Sequence, residues 1–311
     1  MFRYSTLKNN KNKIKKLLGL SKKQFEELAE RLYFALLRKK EERGKDPKRK
    51  RKPGGGRHEK IRLVEDKLLF ILLFYRYNLT HFFLGTLFGI DASNATRLIL
   101  SLNPIIEEIA DPSLKNYFKS IKSKLPKISN FKDFCRLYPR ANKIVFDAFE
   151  QQVNRPQKSN DDRKKYYSGK KKMFSHKTQL FVSEDRKILN VSNNYPGSTH
   201  DKTILLKEKS LDCLPKFVPI LADLGYQGIK NDYPEHCLVI PFKKPSKKEL
   251  SKRNKQFNKE LSADRVMVEH VIGDIKKYRV LSDKYRGRAS KYNQIVRSIA
   301  SLHNFKLDCP I

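Results

Sequence analysis

The sequence predicts an α/β domain behind a smaller all-helical one. Three observations carry that expectation. Apolar, β-branched runs at 143–149 and 217–222 read as buried strands, a helical-period pattern runs from Ala263 to Arg279, and two short apolar helices upstream meet at Gly89-Ile90. With 311 residues the chain is long enough for one sizeable core and a second, smaller domain. Lys and Arg number 68 against 33 acids, a net charge of +35 that favours a polyanionic partner.

No apolar run approaches the roughly 20 residues that cross a bilayer. The longest, Leu68 to Tyr75, fits a core helix, so no membrane partner is expected. Met1 to Leu20 carries lysines without a continuous apolar stretch and cleavage site, which gives no secretory signal. Cys135, Cys213, Cys237 and Cys309 are scattered without a CxxC pair, the pattern of reduced, mostly buried thiols in an intracellular protein.

In chain order, residues 1–43 form an N-terminal helical segment. Ser21-Lys-Lys-Gln24 reads as a capping box, and Phe25, Leu28, Leu32, Ala35 and Leu36 form the apolar stripe behind it. Residues 44–56 are a basic, glycine-rich linker, either a solvated spacer or an arm that tracks phosphates. Residues 57–125 hold an apolar helix at 59–76 and then two short helices, with Thr80 and Asp91 as caps and Gly89-Ile90 as the turn. That spacing is a helix-turn-helix or a plain three-helix bundle. In the first case Ser93, Asn94, Thr96 and Arg97 meet base edges in the major groove. Asn103-Pro104 and Asp111-Pro112 are expected to break the helices that follow.

Residues 126–140 are a connector with a short helix around Phe131 to Leu137, and 141–311 form the α/β domain. Strands are expected near 143–149, 174–183, 187–193, 217–222 and 238–241, and a final helix, Tyr292 to Phe305, is expected to bury Ile295, Ile299 and Leu302 against the sheet. Two strands carry single carboxylates. Asp147 lies inside the first, and Asp223 ends the fourth, just ahead of a turn marked by Gly225 and Gly228. On the helix, Arg265, Glu269, Ile272 and Lys276 fall on one stripe beside the apolar arc of Met267, Val268, Val271, Ile275 and Tyr278. Glu269 either pairs with Arg265 one turn away or joins the two aspartates. Two carboxylates about 4 Å apart repel by roughly 4 kcal/mol at an effective dielectric of 20, which divalent cations relieve.

Arg265, Glu269 and Lys276 match the third-carboxylate motif of a known family, with Ser262 at its tyrosine position. Tyr166-Tyr-Ser-Gly-Lys-Lys-Lys172, Pro196-Gly-Ser-Thr-His-Asp201 and Ala222-Asp-Leu-Gly-Tyr-Gln-Gly228 match as well. Together these residues resemble the DDE transposases of bacterial insertion sequences, in the group related to eukaryotic Harbinger elements, over most of residues 57–307. The resemblance implies an RNase H-like mixed five-stranded sheet flanked by helices, preceded by an all-α helix-turn-helix domain. It implies that Asp147, Asp223 and Glu269 hold two Mg²⁺ ions, with Mn²⁺ able to substitute, for nicking and strand transfer of DNA.

The implied partners are double-stranded DNA with terminal inverted repeats and target DNA, bound by a homodimer. The implied location is the bacterial cytoplasm at the nucleoid, or the nucleus if the source is eukaryotic. Arg155, Lys158, Arg163, Lys164, Lys165, Tyr166, Tyr167, Lys170, Lys171 and Lys172, in the loop 154–172, suit a DNA strand whose phosphates are neutralised and whose bases stack. Lys276 and Arg265 are expected at phosphate. His200 either approaches the metals or a phosphate or lies at a helix start, where Asp201 is expected to cap. Two other functions share these residues: a domesticated DNA-binding regulator, and a metal-dependent nuclease that lacks strand transfer.

Overall fold

The computed structural model describes residues 2–45, 59–111, 143–157, 160–246 and 248–309, whose contacts divide into two compact units. The linker beyond Lys45, the connector 126–140 with its expected helix, and Lys158 lie outside the described residues.

The first unit comprises the described chain up to Asp111, Tyr278–Val280 and the stretch from Arg297 onward. Helix α1, Lys11–Leu18, begins where the Asn10 side chain accepts the Lys13 N–H at 2.9 Å. Helix α2, Lys22–Gly44, opens on the expected capping box: Ser21 Oγ accepts from Gln24 N at 3.2 Å and Gln24 Oε1 from Ser21 N at 3.0 Å. Helix α3, Val64–Tyr77, starts later than the apolar pattern suggested, and Leu68 to Tyr75 are all buried.

Helices α4, His81–Phe88, and α5, Ala92–Ala110, form the helix-turn-helix. Thr80 Oγ1 caps α4 by accepting from Phe83 N at 3.2 Å. Asp91 occupies the N-cap position of α5 without bonding its backbone; its carboxylate accepts from Asn94 Nδ2 at 3.4 Å instead. Gly85 is required by close approach, because a Cβ there would lie 2.5 Å from the Ile90 carbonyl oxygen. Gly85→Ala forces the two helices apart and is expected to cost about 2 kcal/mol, read as a lowered urea midpoint. An unchanged midpoint would show that the turn has slack.

Two expectations about breaks and ends are corrected. Pro104 lies inside α5, which runs on to Ala110; the residue ahead of it is pinned by Tyr75 Oη donating to Asn103 Oδ1 at 2.5 Å. The C-terminal helix, Ala289–Asp308, does not lie wholly with the sheet. From Arg297 it belongs to the first unit, where Ser298 Oγ donates to the Asn103 carbonyl at 2.9 Å and Asn304 Nδ2 to Asp111 Oδ2 at 2.6 Å. Its buried face there, Ile299, Leu302 and Phe305, is core of the helical unit, whereas Ile295 stays with the sheet unit. Of the thiols expected to be mostly buried, Cys237 is exposed and Cys309, partly buried, donates its Sγ–H to Glu27 Oε2 at 3.1 Å, while Cys135 and the Cys213 side chain lie outside the described residues.

The second unit is a mixed sheet with helices. Its central strand β1, Ile144–Gln152, pairs antiparallel with β3, Met173–Ser183, and parallel with β6, Ile220–Leu221, which pairs parallel with β7, Leu238–Val239. The outer edge of β3 carries three short strands in succession: β2, Tyr167–Ser168, β5, Tyr195–Pro196, and β4, Ile188–Val191. The five expected strands therefore stand in the order β4-β3-β1-β6-β7, the RNase H-like arrangement. Two extra pairs of residues, β2 and β5, make the sheet seven-stranded.

Among the described residues four helices lie wholly in this unit: α6, Asn160–Tyr166, α7, Asp201–Glu208, α8, Ile229–Asp232, and α9, Lys252–Lys276. Phe146 of β1 stacks on Phe181 at 5.1 Å and meets Tyr226 edge-on at 4.5 Å, so the core sits directly behind Asp147. Among the described residues no helix is long and apolar enough to cross a membrane.

Candidate active site

Strand β1 holds Asp147 between two fully paired neighbours, opposite Leu180 of β3. Asp223 follows β6 directly and starts a 3-10 turn, Leu224–Tyr226. The two aspartates thus come from adjacent parallel strands, one from mid-strand and one from the carboxyl end. A single side chain joins them. Arg265 of α9, only 9% exposed, places Nη1 3.2 Å from Asp223 Oδ1 and Nη2 3.9 Å from Asp147 Oδ2. Burial pushes the Asp147 carboxyl up to about 6. The Ala148 N–H and the Arg265 guanidinium oppose the rise, and the charges of Asp223 and Asp201 add to it.

Glu269 does not pair with Arg265; it lies exposed on α9 one turn further on. Val268, Val271 and Ile275 are fully buried, so the apolar arc of α9 is as the spacing predicts. Among the described residues no three His, Cys, Asp or Glu side chains come together as a metal cluster. The structure therefore brings Asp147 and Asp223 together and leaves Glu269 outside, with roughly 6 Å of helix separating it from Arg265.

A fourth carboxylate sits beside this pair. Asp201 is the first residue of α7 and does not cap it. The N-cap is His200, which is exposed and makes no side-chain cap bond. Asp201 pairs instead with Lys177 of β3, Nζ to Oδ1 at 3.0 Å, and a Cβ at Gly225 would lie 3.0 Å from its Oδ2. Gln179 Nε2 donates to the Asp201 carbonyl at 2.6 Å and to Tyr226 Oη at 3.0 Å. Lys177 also faces Glu150, its register partner across β1 and β3, at 3.9 Å, and Glu150 accepts from Ser175 Oγ at 2.7 Å and Ser168 Oγ at 3.0 Å. The sequence held a signal for this group: Lys177 is a single lysine in the largely buried strand β3 and must meet an opposite charge.

The expected nucleic-acid contacts divide. Ser93, Asn94 and Arg97 are exposed on α5, with Arg97 Nη1 donating to Asn94 Oδ1 at 3.2 Å. Thr96 is turned inward: its Oγ1 is 2.7 Å from His81 Nδ1 and donates to the Ala92 carbonyl at 2.9 Å, which makes it a seam between the helices. The basic stretch after exposed Arg155 is no plain loop, since α6 and β2 fill its second half.

Tyr166 packs edge-on against His176 at 5.5 Å, while Tyr167 remains 41% exposed. Lys170, Lys171 and Lys172 stand exposed in the turn before β3. Lys276 is half-buried, its Nζ 5.6 Å from the centre of the Phe149 ring. Its ammonium is made more acidic by burial and by Lys171, with Glu150 opposing. Two cations crowded in this way, one of them desolvated, suit a phosphate.

A family model for the DDE superfamily endonuclease matches residues 146–304, and one for the helix-turn-helix of that superfamily matches 63–111. A probable transposase for insertion sequence element IS702 from Microchaete diplosiphon is 30% identical over 262 residues, 84% of this chain and 86% of that protein. No solved structure matches. The chain therefore belongs to the DDE superfamily endonucleases and their transposases.

Proposed function

We propose that this chain binds the terminal inverted repeats of a mobile DNA element, nicks them hydrolytically and transfers the freed strand into target DNA with two divalent cations. The observation that carries the reading is the meeting of Asp147 and Asp223 under α9, whose next turn presents Glu269. The donor set fits Mg²⁺, with Mn²⁺ as substitute, because carboxylate oxygens are the hard ligands it takes. Asp147 and Asp223 would hold the ions, and Glu269 would complete the set after an inward turn of its side chain. When bound, the cations supply an activated water or DNA 3′-hydroxyl and offset charge on the leaving oxygen.

The protein's own residues do the rest. Asn94 and Arg97, with Ser93, read the repeat in the major groove. Lys171 and Lys276 hold a phosphate beside the carboxylates, and the exposed ring of Tyr167 offers a stacking face to an unpaired base. Two copies acting together on paired ends, at the chromosome, complete the proposal.

The test is purified full-length protein with a duplex taken from the DNA flanking its reading frame. Nicking at the repeat ends with Mg²⁺ but not with EDTA, and joining of pre-cut 3′-hydroxyl ends, are expected. Cutting without joining would leave a nuclease. Cutting that is equal in EDTA would overturn the reading.

A further inference from the structure

We propose that Arg265 is a resident counter-ion for the two aspartates, seated where a divalent cation must enter and displaced when it does. The inference rests on the metal-site reading above and goes beyond it. Its basis is the seating of the guanidinium. One nitrogen is at hydrogen-bond distance from Asp223, 3.2 Å, and another is only loosely placed against Asp147, 3.9 Å. The Nε of this buried side chain finds no acceptor, so the fork is incompletely satisfied. A well-built buried ion pair satisfies both partners and is costly to break. This one holds two carboxylates against each other's repulsion while leaving its own Nε without an acceptor, which is the arrangement of a stand-in.

Because Arg265 lies on the rigid turn of α9 that precedes Glu269, its withdrawal frees both the aspartate oxygens and the approach of the glutamate. Arg265 is thus a positioning residue. It keeps the acid pair folded in the absence of metal and raises the concentration of metal needed to fill the site.

The experiment is Mn²⁺ binding to the full-length protein without DNA, followed by the electron paramagnetic resonance of free Mn²⁺, so the readout does not depend on activity. Arg265→Gln is expected to tighten Mn²⁺ binding by about tenfold and to lower the melting temperature in EDTA. Arg265→Lys keeps the charge but loses the fork, and falls between wild type and Arg265→Gln. It also serves if the glutamine variant does not fold. Lys276→Gln removes the same unit charge from the same helix without touching the aspartates, and is expected to shift the affinity by no more than about twofold.

Equal tightening in Arg265→Gln and Lys276→Gln would reduce the effect to net charge and overturn the inference. So would unchanged or weaker binding in both Arg265 variants. An Asp147→Asn control separates the two levels. If Mn²⁺ binds wild type and Asp147→Asn alike, the metal-site reading itself fails. If Asp147→Asn abolishes binding but Arg265→Gln leaves it unchanged, only the counter-ion inference fails.

Discussion

Replacing Asp147 or Asp223 by asparagine is expected to lower end nicking by about 10³-fold or more while leaving binding of the repeat duplex within about twofold. The carboxylate and its asparagine amide are nearly equal in size, so the sheet is not strained. What is lost is the proposed anionic oxygen ligand. Metal-assisted stabilisation of a developing charge is worth several kcal/mol, which at 1.36 kcal/mol per decade gives the stated loss. Binding is expected to be spared because the residues proposed to read the repeat, Ser93, Asn94 and Arg97, lie on α5, in the other compact unit. Measured together, single-turnover nicking and gel-shift affinity separate the two effects. A variant that keeps nicking within about tenfold of wild type would remove that aspartate from the chemistry.

The second large effect is on stability. Asp147 titrates near 6 in the folded chain against 3.8 for the ordinary side chain, chiefly through burial. The groups facing it are Arg265, which favours the charged form, and Asp223 and Asp201, which oppose it. Between about pH 4 and 6 the native state keeps a proton that the unfolded chain has released, so stability falls as pH rises through this window. The loss is on the order of 3 kcal/mol by pH 7.

Other carboxylates titrate nearby, and the clean quantity is therefore the difference between wild type and Asp147→Asn. In EDTA, urea unfolding at pH 4 to 7 should show wild type losing stability relative to the asparagine variant as pH rises. A difference that is constant, or that grows in favour of wild type, would sink the assignment. Saturating Mg²⁺ should remove most of the pH dependence, since a bound cation favours the ionised carboxylate.

The long elements were readable because their patterns are redundant. Strands β1 and β3 carry enough β-branched and aromatic residues to be seen alone, and the burial of Val268, Val271 and Ile275 follows from their spacing. Strand β6 is shorter than its apolar run because Pro219 has no N–H to give the ladder. The pairing begins at Ile220, while the Pro219 carbonyl still accepts from Ile144 N at 2.9 Å. Two-residue strands such as β2 and β5 are below the length at which any period exists.

At the site, local rules misled where tertiary contacts won. Asp201 looked like a cap, yet the half-buried Lys177 of β3 is the stronger attraction. Glu269 was open either to pairing with Arg265 one turn away or to joining the aspartates, and the pair does not form: four residues turn about 40° past a full circle, enough to leave the arginine inside and the glutamate in solvent. The helix-turn-helix was legible in its turn and in the exposure of Ser93, Asn94 and Arg97. The inward seat of Thr96 could not be read locally, because it depends on His81, a residue of the preceding helix.

Gly225 lies just past Asp223 with the Asp201 carboxylate in the space a side chain would fill. A side chain at residue 225 therefore pushes on the carboxylate that pairs with Lys177, which has to give by a few tenths of an ångström. Drift at this corner favours paired changes, and a designer who wishes to reshape the turn after Asp223 does best to treat residues 177, 201 and 225 as one choice.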